Sequence, residues 1–550
     1  MADALASHVA EARRRAGLTE KELAERLGIS LFQMERLERE DADAGPHFDA
    51  LQQHLGALQP RAANVRRTQD EPPASEPAQH DRSAALGWGG LLVLFSIAAL
   101  VLVRFFTETL GVLPRILNFA DIPIVLALSV AAGLSGKVAP STDAFSRSLL
   151  PLGAGFLIIA TAGILMNSAR VELAPALVFV YGVLSPLVVY RSVQILWPVG
   201  RSKVASRWLV GLGVIQLAVG YLVSLPRFLS IDDPDVISGT FGTNPYQFVF
   251  FMVLFVSLMA GVYSFERGRT AARFAPLMIG ASLVLIVLAQ YRAFLLTTGF
   301  ALVMVAIVVS NAPGRTRGVV AASVAVMALM AALAFGADKF PILKLDRTLE
   351  QNPTAVLEKR YEVLTSVTEL YGENPRYLLT GTGPGTFSSR GWQTFALSDS
   401  TSPSNVQGSY AQQFTGGEVY RTDVSDRYVQ PLLTSGNRVA FAGSTAASSP
   451  YSSYSSVAAE AGILGLLLLI GIYFGALRAV LRRVRNATRS ARPNDPLPAL
   501  LLFAGVGFFA LIQMALLENW LEVTRVTFVT WAVFAIAAKE FDARSPEAAT

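Results

Sequence analysis

Cysteine is missing from this chain of 550 residues, and histidine is nearly so, with four in all. Without thiols there is no disulfide, no thiolate nucleophile and no zinc–thiolate site. The histidines are His8, His47, His54 and His80. Everything after residue 80 therefore works without imidazole, which excludes histidine bases and histidine-held metals there; no metal and no cofactor are expected. Charge is scarce too: 16% of residues are Asp, Glu, Lys or Arg, and mean hydropathy is +0.44. That composition belongs to an all-α polytopic membrane protein rather than to a soluble enzyme of this length.

What is present begins with a polar, helix-patterned segment, residues 1–58. No cleavable signal peptide opens it, so a cytoplasmic N-terminus is expected. In "LTEKELAERLGIS" Thr19 is an N-cap with Glu22 three residues on, and Gly28 ends the helix. A second short helix follows over Ser30–Glu40. The pair resembles the helix-turn-helix of XRE-type DNA-binding domains. Seven Lys/Arg stand against eleven Asp/Glu here, a net of −4. The would-be recognition helix carries Glu35, Glu38 and Glu40. A DNA reader needs a basic face to neutralise phosphates, so a cytoplasmic protein partner is the better expectation. The membrane-tethered helix-turn-helix of a cell-shape protein family, a cytoskeleton-docking module, is the nearer likeness.

A proline-bearing linker covers 59–84. Apolar runs of span length, about 20 residues, then recur to the C-terminus. Twelve are expected, near 85–103, 119–136, 149–166, 173–190, 208–225, 246–264, 274–290, 293–310, 318–336, 461–477, 498–517 and 526–538. Nine lie within 85–336 and three within 460–539, with a cytoplasmic tail over 540–550. Loop charges agree: with both ends inside, the inner loops hold 17 Lys/Arg and the short outer loops 6, as the positive-inside rule requires.

Residues 337–459 break the rhythm as a large loop, expected outside the cytoplasm. Within it "PTAVLEKRYEVLTSVTELYG" reads as an amphipathic helix, with Val356, Val363, Leu364, Val367 and Leu370 on one stripe. Arg360 falls on that stripe, where a guanidinium either has an anionic partner or snorkels to water. Next comes "ENPRYLLTGTGPGTF", with Gly381, Gly383 and Gly385 in five positions. It fits neither nucleotide-binding glycine motif by spacing, and the space outside the inner membrane holds no nucleotides. Its backbone N–H groups can approach a ligand or another chain segment. The loop closes on Tyr451, Tyr454 and Glu460, the last at the mouth of the tenth span. Arg292 sits in a short outer hairpin; ionisable residues at such depth are functional candidates. Asp233 and Asp235 read as a solvated loop.

These pieces, in this order, resemble the O-antigen ligase/polymerase family of membrane glycosyltransferases, over about residues 286–480. The opening arginine corresponds to Arg292. The helix arginine, the Asn-Pro and the glycine turn correspond to Arg360, Asn374-Pro375 and Gly381–Phe387. The closing aromatic, Glu and Gly-Ile-Leu-Gly correspond to Tyr454, Glu460 and Gly462–Gly465. The resemblance implies a GT-C-like fold in the bacterial inner membrane and a donor glycan carried on polyprenyl diphosphate. Arg292 and Arg360 would then neutralise the diphosphate without a metal. Glu460 would be the candidate base, with a diphosphate oxygen as the alternative; the glycines would place backbone donors near the diphosphate or shape the pocket, and Tyr451 or Tyr454 would position the acceptor. Family ligases carry a histidine nine residues before that glutamate; Tyr451 stands here, which favours the polymerase branch over a ligase using the same donor. A twelve-span transporter and a membrane-anchored regulator are the remaining alternatives. The first should show two similar halves around a central cytoplasmic loop, and the second needs a DNA-binding face.

Overall fold

The structure, a computed structural model, describes residues 86–137, 144–231, 234–265, 269–289, 299, 355–396, 420–434, 452–490 and 494–544. The chain divides into two compact units, Met1–Ala85 and Leu86–Thr550, and every described residue belongs to the second. The expected helix-turn-helix, the linker, the eighth and ninth spans (residue 299 apart), Arg292, Asp233 and Tyr451 lie outside the described residues.

Every described element is a helix, with no strand among the described residues. Backbone groups in hydrocarbon must be satisfied within their own segment, and a helix does this without a partner. Seven described helices are long and apolar enough to cross a membrane: Trp88–Thr109, Phe145–Met166, Leu173–Leu196, Ser202–Ile231, Pro245–Phe265, Ser453–Arg489 and Leu497–Met514. Asp121–Leu134 and Arg273–Leu288 are shorter apolar helices at the places of the second and seventh expected spans. Thr524–Asp542 is a helix at the place of the twelfth. This is the helical make-up of a multi-pass membrane protein.

Inside the bundle an aromatic cluster ties five helices together. Trp531 meets Phe508 edge-on at 4.9 Å, and Tyr190 lies 5.1 Å from Phe534. Phe145 and Tyr473 pack on Trp531 from two further helices, at 6.5 and 5.7 Å. Such pairs contribute roughly 0.5–1.5 kcal/mol each beyond area burial. Where lipid removes the hydrophobic drive between helices, close packing of small residues takes over. Gly261 fits so tightly on Ala499 that an added Cβ would lie 2.6 Å from the Ala499 Cα.

The helix ends sort into two groups. At one end Glu540 accepts from Trp197 Nε1 at 3.1 Å and from the N–H groups of Gly200 and Arg201 at 3.0 and 2.7 Å. At the other, called the loop end below, Glu108 accepts from Thr243 N–H at 2.9 Å and from Asn118 Nδ2 at 2.9 Å. The large loop attaches here. Arg170 pairs with Asp423 at 2.9 Å, and Tyr420 Oη donates to the Arg170 carbonyl at 3.3 Å.

Candidate functional site

The loop helix forms over Ala355–Glu373, as the sequence predicts, and Arg360 lies on it. Val363, Val367 and Leu370 are buried along it, the i, i+4, i+7 spacing of one helical face. Leu364 departs from the expected stripe: it is 55% exposed, because it falls a full residue's rotation off that line.

The glycine turn folds around Glu460. The Glu460 side chain is 0% exposed. One oxygen, Oε1, accepts from the N–H groups of Phe387, Ser388 and Ser389 at 3.0, 3.0 and 2.9 Å, and Oε2 accepts from Gly385 N–H. Backbone donors converging on one carboxylate form an anion nest, here filled by the chain's own glutamate.

Glu460 sits just before a break in its helix. Ser453–Arg489 contains Gly462 at φ 68°, ψ −175°, outside helical geometry. The carbonyls ending the upper segment lose their intrahelical partners, and the loop supplies replacements. Tyr371 Oη donates to the Ala458 carbonyl at 2.6 Å, Thr382 N–H to that of Ala459 at 2.8 Å, and Gly383 N–H to that of Glu460 at 3.1 Å. Gly381 has a positive φ of 72°, and a side chain there would run into the Glu460 backbone. The turn therefore grips the broken helix with main-chain atoms. Tyr454 is half-buried and donates to the Ile512 carbonyl at 3.1 Å, so its hydroxyl is committed to the neighbouring span.

The groups expected to do chemistry thus meet in part. Structure unites Glu460 with Gly381, Gly383 and Gly385, but in a closed knot whose donors and acceptors satisfy each other. The described cleft at the loop end has different walls. It is half open to its surroundings and is lined by three arginines, Arg104, Arg390 and Arg525, with Asp121, Tyr181, Gln247 and Glu522 among them.

Each wall has a local cause. Arg104 ends the first spanning helix where a π-turn, Phe105–Thr109, follows, and its Nε lies 3.5 Å from Glu108 Oε1. Arg525 is in the first turn of Thr524–Asp542 and donates through Nη2 to the Asn118 carbonyl. Arg390 opens the short helix Arg390–Ala396, and its N–H donates to Glu522 Oε2 at 2.6 Å. Glu522 closes a 3-10 turn, Trp520–Glu522, pinned by Trp520 packing 5.5 Å from Phe250 and 5.6 Å from Tyr246.

Buried polar atoms normally find partners. Four in this cleft make no hydrogen bond: Arg104 Nε, Gln247 Oε1, Glu522 Oε1 and Arg525 Nη1. Arg104 Nε has the Glu108 carboxylate at 3.5 Å as its ion-pair partner; the other three are unpaired polar atoms on residues of the cleft wall. Burial pushes the Glu522 carboxyl up to about 8, helped by the Glu460 charge and opposed by the Arg390 N–H and guanidinium. A carboxyl poised near neutrality can hold or release a proton.

In the sequence Arg104 and Arg525 are two of the six charges counted in the short outer loops, and Arg390 and Glu522 belong to no motif. Their signal was weak: ionisable residues at span mouths, scattered over the whole chain.

No protein-family model matches this chain, and no curated protein matches it significantly. The class that the fold defines is a helical multi-pass membrane protein with a cleft at one end whose walls include three arginines.

Proposed function

We propose that the chain is a metal-independent glycosyltransferase that polymerises lipid-linked oligosaccharide repeat units into a surface polysaccharide. In this reading the membrane is the bacterial inner membrane, crossed by twelve spans of a GT-C-like arrangement. The loop end faces outward, and residues 1–58 dock to a protein on the cytoplasmic side. The donor is a glycan on polyprenyl diphosphate; the acceptor is a sugar hydroxyl of a second lipid-linked unit.

The observation that carries this is the cleft with three guanidinium groups. A glycosyl diphosphate is an activated donor whose leaving group needs only its charge neutralised. Arginine keeps its charge at any relevant pH and binds phosphate through two donors at once. Arg104, Arg390 and Arg525 are well suited to that work, as electrostatic stabilisers in place of a metal. The buried knot of Glu460 and the glycine turn would then be the frame that holds Arg390 in the cleft wall. Arg390 follows directly on Ser388 and Ser389, two of the Glu460 donors.

The test uses a deletion strain complemented with variants, with chain length read on polysaccharide gels. Arg525→Lys keeps the charge and loses the fork; it should reduce polymer by about 10²-fold or more, the scale of one lost transition-state donor. Wild-type polymer from Arg525→Lys would free Arg525 from the diphosphate, and no polymer lost on deletion, or glycan delivered to a different acceptor rather than to growing polyprenyl-linked chains, would remove the polymerase reading.

A further inference from the structure

The cleft contains an acid as well as its cations, and the geometry gives that acid a role of its own. We propose that Glu522, rather than Glu460, accepts the proton of the attacking sugar hydroxyl. This rests on the glycosyl-transfer reading above.

The two glutamates are held in opposite ways. Glu460 has both oxygens engaged by backbone N–H groups and does not line the cleft. Taking a proton there would break the turn. Glu522 lines the cleft and is 3% exposed. Its Oε2 is oriented by Arg390 N–H, and its Oε1 is buried with no hydrogen bond. One oxygen is thus fixed by the frame, while the other is left as an unpaired acceptor on a residue of the cleft wall. Asp121, the other carboxylate in the wall, already accepts from Tyr181 Oη at 3.3 Å.

The same residue couples acid to cation. Arg390 steers Glu522 through its backbone and lines the cleft where the diphosphate would lie. The step balances as follows. The acceptor oxygen bonds to the anomeric carbon, and the bond from that carbon to the diphosphate oxygen breaks with its electron pair. The hydroxyl proton passes to Glu522 Oε1. Polyprenyl diphosphate leaves, and the neutral carboxyl later returns its proton to water. A base titrating near the working pH serves such a step best, and burial moves Glu522 in that direction.

Glu522→Gln is the decisive variant, because its amide oxygen can still accept from Arg390 N–H. Full-length protein in native membrane vesicles is assayed for chain growth across pH, and for binding of farnesyl diphosphate as a soluble probe. The charged or titratable groups around Glu522 are Arg104, Asp121, Tyr181, Tyr473, Arg390, Arg525 and, behind them, Glu460; all are retained. Chain growth should fall by about 10²–10⁴-fold, the usual share of a general base, with probe affinity changed less than about threefold. Glu522→Asp should keep intermediate activity and the alkaline rise of the wild type. Wild-type chain growth by Glu522→Gln, or loss of probe binding in step with activity, would overturn the assignment. A wild type that binds no prenyl diphosphate and extends no chain would fell the glycosyl-transfer reading itself, and this inference with it.

Discussion

Gly381 and Gly462 lie on two chain segments that cross without room for a β-carbon on either. A side chain on Gly381 would overlap the Glu460 carbonyl, and one on Gly462 would overlap the Leu379 carbonyl. Both have positive φ, 72° and 68°, with ψ of −171° and −175°, a region open essentially to glycine alone that strains any residue with a β-carbon by about 1–3 kcal/mol before contacts are counted. Gly381→Ala and Gly462→Ala should therefore lower the Tm of detergent-purified protein sharply. Gly372→Ala is the control. A Cβ there meets nothing within 4 Å, and alanine in a helix is favoured by up to about 1 kcal/mol. Equal melting of all three variants would refute the crossing.

Glu460→Gln should destabilise without the signature of a lost base. Its four backbone donors then share a neutral group, and one of them meets an amide N–H. A buried donor left unpaired costs about 1–3 kcal/mol. Reduced thermal stability, with the pH profile of the surviving activity displaced to lower pH because the Glu460 charge no longer helps raise the Glu522 carboxyl, is the expected pair of results. A stable variant in which the pH-dependent limb is lost altogether would return the proton-accepting role to Glu460.

Stability should also depend on pH through Glu522. Its carboxyl is raised from 4.5 to about 8 in the folded protein. The native state thus holds a proton that the unfolded state has released, and stability falls as pH climbs through that window. Thermal melts of wild type between pH 5 and 9 should drop more steeply than those of Glu522→Gln. Parallel melts would show that the carboxyl is not buried as described.

Arg292 and Arg360 carry their own expectation. Arg292→Ala and Arg360→Ala should abolish polymer while the protein stays in the membrane, measured by immunoblot of membrane fractions beside polysaccharide gels. Normal chains from either variant would free that arginine from the diphosphate.

For residues 1–60, a gel-shift with duplex DNA should show no complex beyond weak binding that disappears with salt, since the segment is net acidic. A salt-resistant, sequence-selective shift would make it a DNA reader.

How far the letters alone carried the reading differs by feature. Hydropathy located the seven described helices that are long and apolar enough to cross a membrane, because about 20 apolar residues in a row have few uses. Glycine spacing and the lone Glu460 marked two ends of what proves to be one knot, yet nothing in the spacing said that each would satisfy the other. The helix break was hidden as well, since "AGILG" reads as the ordinary start of a span and Gly462 reveals its role only through its neighbour Leu379. The cleft was the least legible. Arg104, Arg390, Glu522 and Arg525 come from four separate elements. Only packing between elements far apart in the chain brings them together, and no local spacing in a sequence records which distant elements will meet.

The hold on Glu460 is built from peptide nitrogens, which every residue except proline supplies. Such a clasp demands a few glycines and one acid, and is indifferent to the letters between them. Two chains could preserve it intact through long divergence while their alignments faded to noise, so its kin are better sought by backbone shape than by spelling.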